Sequence, residues 1–392
     1  MLGSGRIYPS ERILMITGQI LEEPYLSIVS EARELANSVE EFCMEADESS
    51  VLHEPTLEAL RESNLCELMV PGQYGGRFDA VDPFAVCLVR EALMKTSSHL
   101  DSLFALQGIG SYAISRAGSD HQRDEWLPRI ASCESLAALA LTEPIAGSDL
   151  KGVETTVVED GDGLKLNGSK SFISNAGFAD FYATLAKEDD HYTMILVPSD
   201  AEGISIKQTE EIIAPHVLGE IEFNNVFLPS DARIGEKGDG FRHVLATLSV
   251  FRISVAGAAV GLMEGALEEA VRHTRERQQF GRPLAKIGPV SALLADSWSD
   301  LEAARLLTYH TASLARENPA EMLDISSLAK LNATEAASRV VDRCVQAMGR
   351  WGLMKGSKIE KYYRQARPMR VYEGASEVLR LGIASRLTRE VE

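Results

Sequence analysis

The sequence predicts an α+β fold that is mostly helical, and three observations carry that expectation. Apolar residues recur at helical spacing from Tyr25 to Ile130. Between Leu136 and Asp231 they give way to short runs of β-branched and aromatic residues separated by turn signals. Helical spacing then returns at about Phe241 and holds almost to Glu392. The expected divisions are an extension over 1–23, a helical domain over 24–135, a middle antiparallel β domain over 136–238 and a helical domain over 239–392.

Each element has its own signal. Leu26, Val29, Ala32, Leu35 and Ala36 sit at helical intervals with charged residues between them. Val70-Pro71-Gly72-Gln73-Tyr74-Gly75-Gly76 reads as a loop, and Phe84–Met94 as a second helical stretch. The strand-like runs are Thr155-Thr156-Val157-Val158, Phe181-Tyr182-Ala183-Thr184-Leu185 and Tyr192-Thr193-Met194-Ile195-Leu196-Val197. Asp160-Gly161-Asp162-Gly163, Asn167-Gly168 and Pro198-Ser199-Asp200 mark turns between strands. Gly281-Arg282-Pro283 and the stretch from Gly349 to Gly356 break the last helical region. No internal repeat or low-complexity segment stands out.

Bulk properties exclude several classes. A chain of 392 residues, 45% of them apolar, can bury a large core. No uninterrupted apolar run is long enough to span a bilayer, and Met1-Leu2-Gly3-Ser4-Gly5-Arg6 lacks the pattern of a secretory signal. Five scattered cysteines, Cys43, Cys66, Cys87, Cys133 and Cys344, show no metal or redox spacing, so reduced thiols and a cytoplasmic setting are expected. The net charge of −19 opposes nucleic-acid binding and docking onto acidic membranes.

The common catalytic signatures are missing. There is no complete Gly-rich dinucleotide fingerprint (Gly108-Ile109-Gly110 lacks the third glycine) and no Walker loop. The eight histidines form no HExxH-like pair, so no metal is expected, and no Gly-x-Ser-x-Gly elbow occurs.

Three motifs remain. They are Leu141-Thr142-Glu143-Pro144-Ile145-Ala146-Gly147-Ser148-Asp149, Arg277-Gln278-Gln279-Phe280-Gly281 and Val371-Tyr372-Glu373-Gly374-Ala375-Ser376-Glu377. Their order and separation resemble the acyl-CoA dehydrogenase family, from about Pro24 to the C-terminus. The resemblance implies two helical domains flanking a small β-barrel, with FAD extended between the β domain and the C-terminal helices of two subunits. It also implies a homotetramer and delivery of electrons to an electron-transfer flavoprotein.

The resemblance assigns roles residue by residue. Leu141 and Thr142 match contacts to the flavin ring. Phe172-Ile173-Ser174 matches a segment that usually carries Trp and Thr; Phe172 keeps the aromatic face and Ser174 the hydroxyl near N5. Arg277, Gln279 and Phe280 match the arginine motif that meets the FAD pyrophosphate of the neighbouring subunit, a contact for which a guanidinium fork is well suited. Alone, Arg277 would read as an exposed arginine at a helix end. Gln346 and Gly349 match the start of the adenosine-side motif, although Arg350 replaces its second glycine and Gly288 stands where the family commonly has Gln. Ala375 and Glu377 fall on the cofactor side of the last motif.

On the substrate side, Ser148 is either a turn serine or a contact for the pantetheine arm. Arg252 matches an arginine facing the thioester pocket, with Ser249 where an acidic residue commonly lies. Tyr372 and Gly374 flank the central residue, Glu373, which matches the family's catalytic base. A related branch carries its base at the position of Phe251, which cannot serve. The implied reaction is α,β-dehydrogenation of an acyl thioester, carried on CoA or on an acyl carrier protein. Glu373 takes the α-proton, and the β-hydrogen leaves as hydride to flavin N5. A flavin oxidase or monooxygenase on the same fold is the rival, and the retained Glu373 argues against it.

Overall fold

A computed structural model describes residues 21–209 and 211–389. Of the expected N-terminal extension, residues 1–20 lie outside the described residues. The element order is helical, then β, then helical, as the sequence pattern predicts.

The first helical layer comprises α1 (Tyr25–Ser38), α2 (Cys43–Asp47), α3 (Glu54–Ser63), α4 (Pro83–Met94), α5 (Ser98–Ala117) and α6 (Asp120–Ala131). Their ends follow local chemistry. Asp82 caps α4 by accepting from the backbone N–H of Phe84 and Ala85, with Pro83 at the first turn. Ser119 and Gln122 close a reciprocal capping box on α6. One phase differs from expectation in α1. Tyr25, Ile28, Ala32, Leu35 and Ala36 are buried, whereas Leu26 is exposed. Two overlapping apolar sets share this helix, and packing against α4 selects the one that includes Tyr25.

The middle region holds β1 (Ala137–Ala140), β2 (Thr156–Asp160), β3 (Gly163–Ser174), β4 (Phe181–Glu188), β5 (His191–Pro198), β6 (Ile204–Gln208), β7 (Leu218–Pro229) and β8 (Arg233–Ile234). They form one eight-stranded sheet in the order β6-β7-β3-β2-β4-β5-β8, with β1 beside β4. Pairing is mostly antiparallel, but β1 runs parallel to β4. The expected turn at Asn167-Gly168 is not a turn. Strand β3 continues through it with a shift of register between Leu166 and Gly168. Gly168 is required there: its φ is +141°, and a Cβ would lie 2.6 Å from Thr155. Buried glutamines join the sheet to the helices. Gln107 of α5 donates to Ser135 O at 2.7 Å and accepts from Ala137 N, and Gln122 of α6 donates to Asp231 O at 2.8 Å.

The last region begins with α7 (Gly240–Glu276), followed by a short hairpin, β9 (Gln278–Gln279) and β10 (Arg282–Pro283). Then come α8 (Gly288–Leu314), α9 (Leu323–Met348), α10 (Lys358–Ala366) and α11 (Ser376–Arg389). Helix α7 is long and apolar enough to cross a membrane, which an inspection for unbroken apolar runs misses. Yet 89% of its most apolar window is buried inside the protein, as befits a core helix. Small residues let it approach α4 closely: a Cβ on Gly261 would lie 2.0 Å from Glu91 O. The helical regions are also tied by buried charge. Lys361 of α10 meets Asp47 of α2 at 2.6 Å, and Arg305 of α8 meets Glu91 of α4 at 3.1 Å.

Candidate active site

Glu373 lies in the turn between α10 and α11 with φ +55°, followed by Gly374 at φ +104°. Such a turn lifts the side chain out of the helical path, at a conformational cost for a non-glycine residue. What holds it is a set of buried cations. Arg252 of α7 donates from Nε to Glu373 O at 2.7 Å and from Nη1 to Ser327 Oγ at 2.9 Å. Lys330 of α9 donates to Tyr372 O and to Gly374 O, each at 2.9 Å. Three consecutive carbonyls are thereby fixed from two helices. Lys330 itself is fully buried.

The carboxyl is treated differently from the backbone that carries it. Its Oε2 is buried and has no hydrogen-bond partner among the described residues. Burial pushes the group above the ordinary carboxylate value, and the charges of Arg90, Arg252 and Lys330 pull the other way without cancelling that effect. An acid held this way is poised to exchange a proton, because neither of its forms is fully satisfied.

A second cluster forms around β3. Ser171 N donates to Thr142 O at 2.9 Å, placing the Leu141–Thr142 segment beside the strand. Lys170 is fully buried and donates to Leu141 O at 3.0 Å and to Glu143 Oε1 at 2.7 Å. Glu143 also accepts from Glu154 N at 2.6 Å and Thr155 N at 3.0 Å. Burial works against the ionised Glu143, but these donors hold it below the usual carboxylate range. Next along β3, the register slips between Lys170 and Ile173. Phe172 occupies that slip with φ +55° and is turned outward, 58% exposed. Ser174 Oγ lies 2.9 Å from His216 Nε2. Burial holds the His216 imidazole down at about 4, so it is neutral at ordinary pH.

Helix α5 stands between the two clusters. Its Ser102 Oγ is 3.5 Å from His216 Nε2. The preceding residue, Asp101, accepts from Arg90 at 2.6 and 2.9 Å, and the Arg90 charge reaches Glu373. The strand carrying Ser174 and the turn carrying Glu373 thus meet through adjacent residues of one helix.

Residues 24–134 match the acyl-CoA dehydrogenase N-terminal domain, residues 138–226 the middle domain and residues 238–388 the C-terminal domain of that family. The probable acyl-CoA dehydrogenase FadE25 of Mycobacterium tuberculosis is 31% identical over 377 residues, covering 94% of this chain and 96% of its own. The chain belongs to the acyl-CoA dehydrogenase family. It is an oxidoreductase by that membership. A subunit, CarC, of the caffeyl-CoA reductase–Etf complex of Acetobacterium woodii is 32% identical over 364 residues, 89% of this chain and 94% of that one. Among solved structures, a glutaryl-CoA dehydrogenase of Mycobacterium smegmatis in complex with FADH2 superposes with a TM-score of 0.89 at 26% identity, covering 96% and 97% of the two chains.

Within this family member, two sets of the sequence-derived residues come together and a third does not. Leu141, Thr142, Phe172 and Ser174 gather along β3, and Tyr372, Glu373, Gly374 and Arg252 gather at the α10–α11 turn. Ala375 follows in that turn, and Glu377 is exposed on the first turn of α11, 3.6 Å from Arg380. Arg277, Gln279, Phe280, Gln346, Gly349 and Ser148 lie on the exposed surface of the single chain. Phe280 is 90% exposed at the β9–β10 hairpin, and Arg277 makes no side-chain hydrogen bond or ion pair among the described residues. The Arg252 guanidinium, expected toward the thioester pocket, hydrogen-bonds the Glu373 turn and Ser327. Lys330, Lys170, His216, Asp101 and Arg90 were not anticipated. Among the described residues, no group of His, Cys, Asp and Glu is arranged to hold a metal ion.

Proposed function

We propose that the protein is an FAD-dependent dehydrogenase of an acyl thioester, forming the trans-2-enoyl product, with Glu373 as the base. The observation that carries this reading is the buried, unpartnered Oε2 of Glu373 on a turn braced from two helices. A thioester α-proton is weakly acidic, and a carboxylate freed of water and hydrogen bonds is the stronger base. The backbone N–H of Glu373 supplies a donor toward the thioester oxygen where negative charge develops. Tyr372 and Gly374 bound the pocket on either side, Arg252 sets the turn beside the thioester, and Ser148 lies toward the pantetheine arm.

The residues along β3 suit a flavin. An outward-facing aromatic ring at Phe172, a hydroxyl at Ser174 and the main chain at Leu141–Thr142 offer a flat surface with polar contacts at its edge. The chemistry that FAD supplies when bound is acceptance of the β-hydrogen as hydride. Arg277, Gln279, Phe280, Gln346 and Gly349 would hold its pyrophosphate and adenosine half across a subunit boundary, which accounts for their exposure in one chain. Ala375 and Glu377 complete the cofactor side.

An Etf-linked relative supports an electron-transfer flavoprotein as the acceptor. The thioester carrier is CoA or an acyl carrier protein, and the assembly is a homotetramer. The five buried free cysteines fit a reducing cytoplasmic setting. The test is anaerobic mixing of the purified flavoprotein with a panel of CoA and carrier-protein thioesters, followed at the flavin absorbance. At least one thioester bleaches the parent, and Glu373→Gln with full FAD content responds about 10²–10⁴-fold more slowly. Bleaching of Glu373→Gln at the parent rate would overturn the assignment of the base.

A further inference from the structure

A lysine in the middle of a helix usually reaches water. Lys330 does not: it is fully buried, and two of its three N–H donors go to carbonyls on either side of Glu373. Burying an ammonium is expensive unless its surroundings repay the lost hydration. Backbone carbonyls alone would be served as well by a neutral donor such as glutamine. A full charge at this point serves something that a neutral donor would not, and the two carbonyls it holds flank Glu373, whose carboxylate carries an unpartnered Oε2 and interacts with this charge.

We propose, resting on the assignment of Glu373 as base, that Lys330 is the positioning residue of the active site: it fixes the Glu373 turn through the flanking carbonyls and biases the carboxylate toward its ionised form. The two functions separate by chemistry. The hydrogen bonds set where the carboxyl sits, and any donor of suitable reach could make them. The charge acts through space on proton affinity, and only a cation supplies it.

The other charges around the turn do not duplicate this role. Arg252 comes from α7 and holds the Glu373 carbonyl itself. Arg90 comes from α4 and is already paired with Asp101 of α5. Glu335, one turn beyond Lys330 on α9, is taken by Arg370 at 2.8 Å and Ser376 at 2.6 Å. Lys330 has no carboxylate within ion-pair distance among the described residues, so its charge is left to act on Glu373. Burial lowers its own ammonium to about 8, with Glu373 opposing that shift, so it is protonated at neutral pH.

The test compares Lys330→Gln and Lys330→Met with the parent as holoenzymes, using the CoA thioester that bleaches the parent flavin fastest. Flavin reduction is followed by stopped flow across pH. Lys330→Gln is expected to keep its FAD and the parent's thioester affinity, while the acid limb of its pH profile moves to higher pH. At a fixed pH on the acid limb its reduction rate falls about tenfold, the equivalent of one pK unit. Lys330→Met loses the carbonyl contacts as well and falls further, with weaker thioester binding. If Lys330→Met does not fold, Lys330→Gln decides the matter. A Lys330→Gln enzyme with the parent's rate and unchanged acid limb overturns the proposal while leaving the base assignment intact. The base assignment fails separately, through an active Glu373→Gln.

Discussion

Ser174 Oγ and His216 Nε2 are 2.9 Å apart, so the hydroxyl expected beside the flavin is already oriented by a ring. Because burial keeps that ring neutral, the pair carries no net charge into the site. Replacing Ser174 by Ala is expected to leave FAD content unchanged and to shift the flavin's visible spectrum and reduction potential. His216→Phe, which leaves the hydroxyl free to rotate, should shift both in the same sense by less. Spectroelectrochemistry of the two holoproteins checks this, and unaltered potentials in both would remove Ser174 from the flavin site.

The pH dependence follows from the proposed role of Glu373. With Glu373 as the base, its ionised form is the active one, so the rate rises with pH through its pKa. Burial raises that pKa, so the midpoint of the acid limb lies above 4.5. The cations facing it, Arg90, Arg252 and Lys330, keep the midpoint from climbing further. Glu373→Gln should lose about 10²–10⁴-fold in the rate of flavin reduction, the usual worth of a general base. An acid limb at or below 4.5 in the parent would contradict the buried carboxyl.

Arg277 is exposed and makes no side-chain hydrogen bond or ion pair among the described residues, as expected of a residue reserved for a ligand phosphate. Arg277→Ala is expected to weaken FAD binding about ten- to a hundredfold, since a charge-assisted contact is worth roughly 1.5–3 kcal/mol. Arg277→Lys should recover only part, because an ammonium lacks the two-pronged geometry. FAD content after gel filtration, with melting temperature at rising FAD, measures both effects. Full flavin in Arg277→Ala would reject the contact.

The Lys170–Glu143 pair makes a stability prediction. Both side chains are buried, and Lys170 also holds the carbonyl of Leu141. Lys170→Met strands a buried carboxylate and should cost about 3–5 kcal/mol. Denaturant unfolding reads the loss, and FAD retention should fall with it because the Leu141–Thr142 segment is no longer braced. A melting curve like the parent's would show that Glu143 is satisfied by backbone donors alone.

Assembly is the fifth expectation. Phe280, Leu353 and Leu381 are respectively 90%, 76% and 73% exposed, a heavy load of bare apolar side chains for one chain. Light scattering should give about four times the chain mass of 42.8 kDa. A monomer that holds FAD tightly would contradict both the tetramer and the shared flavin site.

The layer order and the turn that carries Glu373 were legible because their signals are local. Glu373, the proposed base, could be singled out from its immediate neighbours, Tyr372 and Gly374. Lys330 and Lys170 could not. Each is one lysine in an ordinary helical or strand-like run, and only the packing of distant segments decides that its ammonium never meets water. His216 was hidden for the same reason, since its partners Ser174 and Ser102 come from other elements. The apparent turn at Asn167-Gly168 misled because the same dipeptide serves a hairpin or a bulge, and strand β7 alongside chooses between them. Leu26 misled because the helix offers two apolar stripes and only the tertiary neighbours select one.

The segment that carries Glu373 does not decide where Glu373 stands. Its carbonyls hang from α7 and α9, so the acid is registered to the bundle like a tool clamped in a jig. A slip of α9 by a single residue would carry Lys330 about 1.5 Å along its axis and drag the turn with it. Substitutions in the α7–α9 seam, far from any ligand, can therefore detune the reaction without touching a reacting atom. Conversely, outside Tyr372–Gly374 the link between α10 and α11 can vary in sequence so long as it delivers these three carbonyls to the same two cations.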